Sequence, residues 1–415
     1  MERSSQLILT LCMLGLLAVI GGQTRLLRLR RALGLEQLLA GGFLFLPLGM
    51  VLSEAGLGLL DRDIVRHLDA LVTLGLGVLG LLLGLQVDPD RLSGARRGLG
   101  VAAALETFTT LVLVAGPLYF ALTSWDLCGR QDALAASALL GCVAAISSGH
   151  AYRAALRGEE QPEPEESDVS RVANAGTVLA VLSAGVLVAA FSPVKGLGAM
   201  EKVLAVFATG SVGGLSAWLL ATETHDAALR TALLLGVILV TAGTAAHLAV
   251  PPVASTLLAG MVLANLPGTV ARELRDAISF LEAPLTVLLT VIAGASLRAP
   301  SSWAAAGLLG AFLLLRTTGK LLGGRLAASA TRAVPAGLGL GLLPSSAVAV
   351  GLALDFHLQL PDALVDVVLL VSVVGALLSE TAGVWTTRLL ARALPAVEPA
   401  PPAAADSSLS PGGPG

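Results

Sequence analysis

Long apolar runs recur along the chain and constrain its fold more than any other feature. A helix needs roughly 17 to 25 mostly apolar residues to cross a bilayer. Runs of this kind lie at 6–22, 35–53, 67–87, 99–124, 133–157, 170–192, 201–221, 231–249, 251–267, 278–297, 302–323, 333–354 and 363–388. Only 13% of the 415 residues are charged, against about 25% in soluble domains. We therefore predict an all-α polytopic membrane protein with about 13 transmembrane helices.

Basic residues are concentrated in alternate connections, which predicts the orientation. The richer set lies at 25–31, 91–97, 153–171, 230, 272–275, 325–332 and 388–392. Cytoplasmic loops carry the excess of Lys and Arg, so we expect a multi-pass protein of the cell inner (plasma) membrane, with its amino end outside and its carboxyl end cytoplasmic. The first run is interpreted as a retained helix, because only Arg3 precedes it and no small-residue cleavage site follows. Residues 396–415 are low in complexity and predict a disordered cytoplasmic tail.

Two of the apolar runs are interrupted near their middle by small polar residues. The fifth contains LLGCVAAISSGHA at Leu139–Ala151, and the twelfth contains LGLLPSSAVAVGLAL at Leu340–Leu354. In lipid, a helix breaks at membrane depth only where protein or a wet cavity meets its backbone, and paired broken helices indicate a transport site. The resulting candidates are Ser147, Ser148, His150, Ser345 and Ser346. Each stretch alone fits a closely packed or kinked membrane helix equally well.

The two interruptions occupy equivalent places in the two halves of the chain. Runs one to six can be set against runs eight to thirteen, and an offset of seven helices reverses direction. This predicts a transmembrane domain over residues 1–392 built from inverted repeats at about 6–192 and 231–388, with helices five and twelve broken.

Charged residues inside the apolar runs form a second set of candidates, because each costs at least about 2.5 to 3.5 kcal/mol at bilayer depth. The core charges are Glu106, Arg316, Lys320 and Glu380. Glu106 and Arg316 fall at repeat-equivalent places, so we hypothesise that they form a buried ion pair. Lys320, like Glu282, could instead lie near a helix end and extend to the interface. His150 could titrate near neutral pH or be a neutral core residue.

Several classes of function lack a supporting motif. The five histidines and three cysteines show no metal-ligand spacing, and we find no nucleophile elbow, phosphate loop or basic patch for nucleic acid. We therefore predict that the protein is not an enzyme, that it uses no metal or cofactor, and that it does not bind nucleic acid.

Four segments resemble parts of the cation:proton antiporter superfamily, which has the sodium/proton exchanger-like fold. They are GLQVDPDRLSGARR at 84–97, VPPVASTLLAGMVLANLP at 250–267, LRTTGKLLGGRLAA at 315–328 and GLGLLPSSAVAVGLAL at 339–354. In the third, Arg316 or Lys320 would carry the family's supporting basic residue. The resemblance implies a secondary transporter that exchanges a monovalent cation for protons by alternating access. It also implies a homodimer formed outside the core, for which the faces around Gly75, Gly77 and Gly80 are candidates.

The sequence departs from the family at its central residues. The Thr-Asp pair of helix five is replaced by Ser147 and Ser148, and the Arg-Gly-Glu run of helix twelve by Ser345, Ser346 and Ala347. The aspartates of helix six would fall near Ser183, where no acid is present. Hydroxyls can ligate a cation but do not exchange protons near pH 7. The predicted function is therefore divergent cation:proton antiport, in which another group such as Glu106 or His150 carries the proton. The alternatives are potassium-efflux-like transport, transport of another solute, and an inactive membrane scaffold or sensor.

Overall fold

The computed structural model describes residues 10, 12–19, 42–60, 62–87, 97–125, 128–149, 167–191, 198–224, 226–298, 303–359 and 362–393. Residues 12–19 are helical, and Phe43–Phe45 form a short 3-10 turn. The α-helices that follow are α1 Leu46–Leu52, α2 Arg62–His67, α3 Asp69–Gly84, α4 Arg97–Ser124, α5 Arg130–Ala145, α6 Asp168–Phe191, α7 Ala199–Glu223, α8 Ala227–His247, α9 Pro252–Asn265, α10 Val270–Ser296, α11 Trp303–Thr331, α12 Leu338–Gly341, α13 Ala347–Gln359 and α14 Asp362–Ala393. These residues contain no β-strand, which confirms the all-α prediction.

Polar residues and prolines set several helix ends. The Asp226 carboxylate accepts hydrogen bonds from the backbone N–H groups of Ala228 and Leu229 at the start of α8, at 2.8 and 3.1 Å. Such a cap satisfies donors that have no partner inside the helix. Pro252 occupies the first position of α9, where its missing N–H costs nothing.

The surface of the helices matches a membrane environment. Seven helices in the described part are long and apolar enough to cross a bilayer by length and composition, and four shorter apolar helices accompany them. Large apolar side chains on several of these helices face outward: Val112, Phe120, Leu204 and Leu314 are each at least 60% exposed. Soluble proteins seldom expose such extended apolar surface. The chain is therefore a multi-pass membrane protein, while the count of thirteen crossings stays a prediction.

The helices form two groups. The outer group is α1, α3, α7, α8, α9 and α10, and the crossing group is α4, α5, α6, α11, α12, α13 and α14. The two groups meet where α6 packs on α7 and α9, and where α13 packs on α3 and α10. The crossing group holds both interrupted segments.

Glycines allow the outer helices to touch backbone to backbone. A Cβ at Gly80 or Gly84 of α3 would collide with the carbonyl oxygens of Val253 or Leu257 on α9. A Cβ added at Gly75 would lie 3.5 Å from the Leu289 side chain of α10, and Gly77 packs on α8. The suggestion that Gly75, Gly77 and Gly80 form a dimer surface is therefore wrong, because packing within the chain already buries this face.

Some helix limits differ from those expected. α10 begins at Val270, eight residues before the predicted start at 278, and α11 ends at Thr331, eight residues after the predicted end at 323. Glu282 therefore lies mid-helix and half-buried rather than near an end. Helical periodicity continues past an apolar run, so hydropathy alone misplaces such limits. The repeat boundaries stay a prediction, and the tail at 396–415 lies outside the described residues.

The glycine contacts predict unequal effects of the same substitution along α3. Gly84→Ala places a methyl group against the Leu257 carbonyl, and overpacking of this kind costs about 1–3 kcal/mol. Gly75→Ala adds the same methyl at ordinary contact distance and serves as the control. In detergent, the melting temperature should fall clearly for Gly84→Ala and stay unchanged for Gly75→Ala. Equal melting temperatures for the two variants would contradict the close approach of α3 and α9.

Candidate functional site: the crossing of two broken helices

The two interrupted segments touch each other inside the crossing group. α5 ends at Ala145 and residues 146–148 are not helical, while residues 342–346 separate α12 from α13. The Ser148 N–H donates to the Pro344 carbonyl oxygen at 3.0 Å, and the Ser147 hydroxyl donates to the Leu342 carbonyl at 2.9 Å. The prediction of two broken helices is confirmed, and we call their meeting point the crossing.

Arg316 of α11 satisfies the backbone at the broken end of α5. Its two terminal nitrogens donate to four carbonyl oxygens, those of Val143, Ala144, Ile146 and Leu343, at 2.6 to 3.2 Å. The last carbonyls of a helix have no partner within it, and their partial negative charge favours a cation. Arg316 thus joins both broken segments, and it is 1% exposed.

Lys320 lies one helical turn further along α11 and is fully buried. Its ammonium group donates to the Ala145 carbonyl at 2.5 Å and to the Ser147 hydroxyl at 2.7 Å, and it pairs with the Glu106 carboxylate at 2.9 Å. The idea that Lys320 extends to the membrane interface is therefore wrong. Residues four apart share a helix face, so Lys320 is directed at the same broken end as Arg316.

Glu106 of α4 pairs with Lys320, not with Arg316. Its Oε1 atom accepts from Lys320 and also from the Thr110 hydroxyl, at 2.9 Å in each case. The hypothesis of a Glu106–Arg316 pair is therefore wrong in its partner. The two terminal nitrogens of Arg316 make four hydrogen bonds, all to backbone carbonyls. These bonds keep the guanidinium out of direct contact with Glu106. Arg316 still interacts with Glu106 through space.

α6 supplies a polar face toward the first break. The Thr177 hydroxyl donates to the Ser147 carbonyl at 3.0 Å, and the Ser170 hydroxyl donates to the Gly149 carbonyl at 3.2 Å. A Cβ at Gly149 would lie 2.8 Å from both the Asn174 and the Ser170 side-chain oxygens, so α6 can approach this closely only because position 149 is glycine.

The structure does not bring Ser183 to the crossing. Ser183 donates to the Leu179 carbonyl of its own helix and lies about 9 Å further along α6 than Thr177, at 1.5 Å per residue. Residues 173–177, the part of α6 at the level of the crossing, are Ala-Asn-Ala-Gly-Thr and contain no carboxylate. Sequence reasoning missed Ser170, Asn174 and Thr177. Their spacing of four and three residues, a polar stripe on one helix face, is the signal that could have found them.

The second break contacts α14. A Cβ at Gly383 would meet Pro344, and one turn earlier Glu380 lies within electrostatic range of the Arg316 guanidinium and near Ser345. Glu380 is 3% exposed. Ser346 caps the start of α13, since its hydroxyl accepts from the Val348 N–H at 3.3 Å. Two acidic and two basic side chains therefore surround the crossing.

One candidate residue and one candidate type of site have no counterpart among the described residues. His150 lies outside the described residues. Within the described ranges, no group of three or more His, Cys, Asp or Glu side chains is suited to hold a metal ion.

The fold resembles that of a sodium/proton antiporter of known structure. The structure is similar to that of the sodium proton antiporter MjNhaP1 from Methanocaldococcus jannaschii at pH 8, with a TM-score of 0.66, 16% identity, and coverage of 93% of this chain and 99% of that chain. A second structure of MjNhaP1, from an electron microscopy map, gives a TM-score of 0.64 at 15% identity, with 97% and 100% covered. No protein-family model and no curated protein matches the sequence. The expected antiporter fold is thus confirmed by structure.

The ion pair predicts energetic coupling between α4 and α11. Glu106→Gln or Lys320→Gln alone leaves a buried charge without its partner, whereas the double variant removes both charges. A double-mutant cycle of unfolding free energies in micelles should give a coupling of about 1–3 kcal/mol.

The matching cycle with Arg316→Gln should give a smaller coupling, because Glu106 makes no direct bond to Arg316. Equal coupling to Arg316 and Lys320 would contradict the assigned pairing.

Proposed function

We propose that the protein is a secondary transporter that exchanges a monovalent cation for a proton by alternating access. Glu106 takes the place of the acids that are absent from residues 173–177 of α6. The observation that carries this proposal is the buried Glu106–Lys320 pair at the crossing. The antiporter fold supports it. The proposal places the protein in the cell inner membrane with its carboxyl end in the cytoplasm, and a homodimer stays an expectation from the resemblance.

A carboxylate paired with a lysine can couple two ions. Lys320 uses three donors on Glu106, Ala145 and Ser147, which is all that an ammonium group has. A cation that binds Glu106 places a second positive charge beside Lys320. Two unit charges 4 Å apart repel by about 4 kcal/mol at an effective dielectric constant of 20.

Release of one proton from the Lys320–Glu106 pair relieves this repulsion. A buried lysine can lose its proton, whereas an arginine cannot. One cation then enters as one proton leaves to the water on the side to which the crossing is open. When the crossing opens to the other side, the reverse exchange releases the cation.

Proton flux in proteoliposomes tests this function. With a pH-sensitive dye enclosed, addition of Na⁺, Li⁺ or K⁺ in turn should cause a cation-dependent pH change with the unmodified chain. Glu106→Gln should abolish the change, because a neutral amide neither offsets the dehydration of the cation nor pairs with Lys320. Glu223→Gln, at an exposed carboxylate at the end of α7, should leave it intact.

The absence of any response from folded, inserted protein would reject the proposal. It would direct attention to another solute or to a scaffold or sensor role.

Lys320→Arg separates ion pairing from proton release. The guanidinium keeps the positive charge beside Glu106 but does not give up a proton. We expect proton-coupled flux to fall about tenfold or more, the effect of about 1.4 kcal/mol, while the protein still elutes as a folded species. Full flux in this variant would show that Lys320 is not the group that releases the proton.

A further inference from the structure

The Thr107 hydroxyl on α4 is buried without a hydrogen bond. Thr107 is fully buried, and its Oγ1 atom has no partner among the described residues. Threonines in other helices give their proton to the carbonyl four residues back, as Thr256 and Thr290 do. A buried hydroxyl without a hydrogen bond lowers the stability of the fold by about 1–3 kcal/mol. The orientation of the Thr107 hydroxyl, away from the carbonyl four residues back, therefore needs a physical reason.

The second carboxylate oxygen of the adjacent Glu106 faces the same place. Within the described residues, the hydrogen bonds and ion pair of Glu106 go to its Oε1 atom. A Cβ built on Gly176 of α6 would lie 2.8 Å from Thr107 Oγ1 and 3.7 Å from Glu106 Oε2. Both oxygens therefore lie close to Gly176, and α4 approaches α6 this closely because position 176 has no side chain.

We infer that a small monovalent cation, Na⁺ or Li⁺, binds to Glu106 Oε2 and Thr107 Oγ1 over the Cα of Gly176. This site rests on the proposed function and gives it a position between α4 and α6. Hard cations take oxygen ligands, and a carboxylate offsets the loss of their hydration. One carboxylate beside a lysine balances one positive charge but not two, which favours a monovalent over a divalent ion.

The position explains how the cation and Lys320 compete. Lys320 holds Oε1 and the cation holds Oε2, so both charges depend on one carboxylate. Glycine at 176 is part of the site, because a Cβ there would clash with the Thr107 hydroxyl and displace it from the position that binds the ion.

The test uses the full chain with substitutions at both sides of the site. Thr107→Val removes the hydroxyl oxygen at constant shape, and Gly176→Ala places a methyl group against that oxygen. Thr109→Val, at a half-buried threonine of the same helix, and Gly116→Ala, where nothing lies within 4 Å of an added Cβ, are the matched controls. The double variant Thr107→Ala with Gly176→Ala avoids the clash between the added methyl group and the Thr107 hydroxyl. It still lacks the hydroxyl oxygen that would bind the ion.

Two readouts are measured. The first is the Na⁺ or Li⁺ concentration for half-maximal proton flux in proteoliposomes. The second is thermal stabilisation of the protein in detergent by NaCl or LiCl relative to choline chloride, because a ligand of the folded state raises its stability. We expect Thr107→Val, Gly176→Ala and the double variant to raise the half-maximal concentration about tenfold or more, and the controls to stay near the unmodified chain.

Each outcome decides between the two proposals. If the unmodified chain transports and Thr107→Val and Gly176→Ala match it, the site is wrong and the proposed function stands. If cations stabilise the chain through Thr107 without proton flux, the site stands and the proposed antiport is wrong. If neither flux nor stabilisation occurs with folded protein, both are rejected.

Discussion

The hydrogen bonds from Arg316 and Lys320 to the carbonyl oxygens at the end of α5 are the interactions on which the crossing depends. α5 stops inside the protein, where each unsatisfied backbone group costs several kcal/mol. Two basic side chains on one face of α11 cover the carbonyls of Val143 to Ile146. Since these cations are buried, the crossing also requires anions, and Glu106 and Glu380 supply them. The charges of the site thus follow from the broken backbone.

This dependence assigns different roles to two similar residues. The bonded donors of Arg316 all contact backbone carbonyls, so it holds the two breaks together. Lys320 divides its donors between the backbone and Glu106, so it transmits any change at the carboxylate to the end of α5. An ion that binds Glu106 therefore acts on the same hydrogen bonds that position the break.

The sequence predicted the membrane class, the two broken helices and the four core charges, because each is a local feature: an apolar run, a polar interruption or a charge at bilayer depth. It did not predict the partner of Glu106. Arg316 and Lys320 are one turn apart on the same helix face. Only the packing of α11 against the break shows that the hydrogen bonds of Arg316 go to backbone carbonyls, which leaves Lys320 to pair with Glu106. The sequence points to Ser183 and not to Thr177 for a related reason: the level at which α6 meets the crossing depends on contacts with Gly149, which lies on a distant segment.

In the proposed exchange, the four charges around the crossing would also determine how the site responds to membrane voltage. Glu106 and Glu380 balance Arg316 and Lys320, so their net charge is zero when all four are ionised. Replacement of one proton of the pair by one monovalent cation leaves that sum unchanged. A potential of 100 mV performs about 2.3 kcal/mol of work on each unit charge that crosses the membrane, but it performs none on a neutral unit. A cycle based on this crossing would be driven by concentration gradients alone.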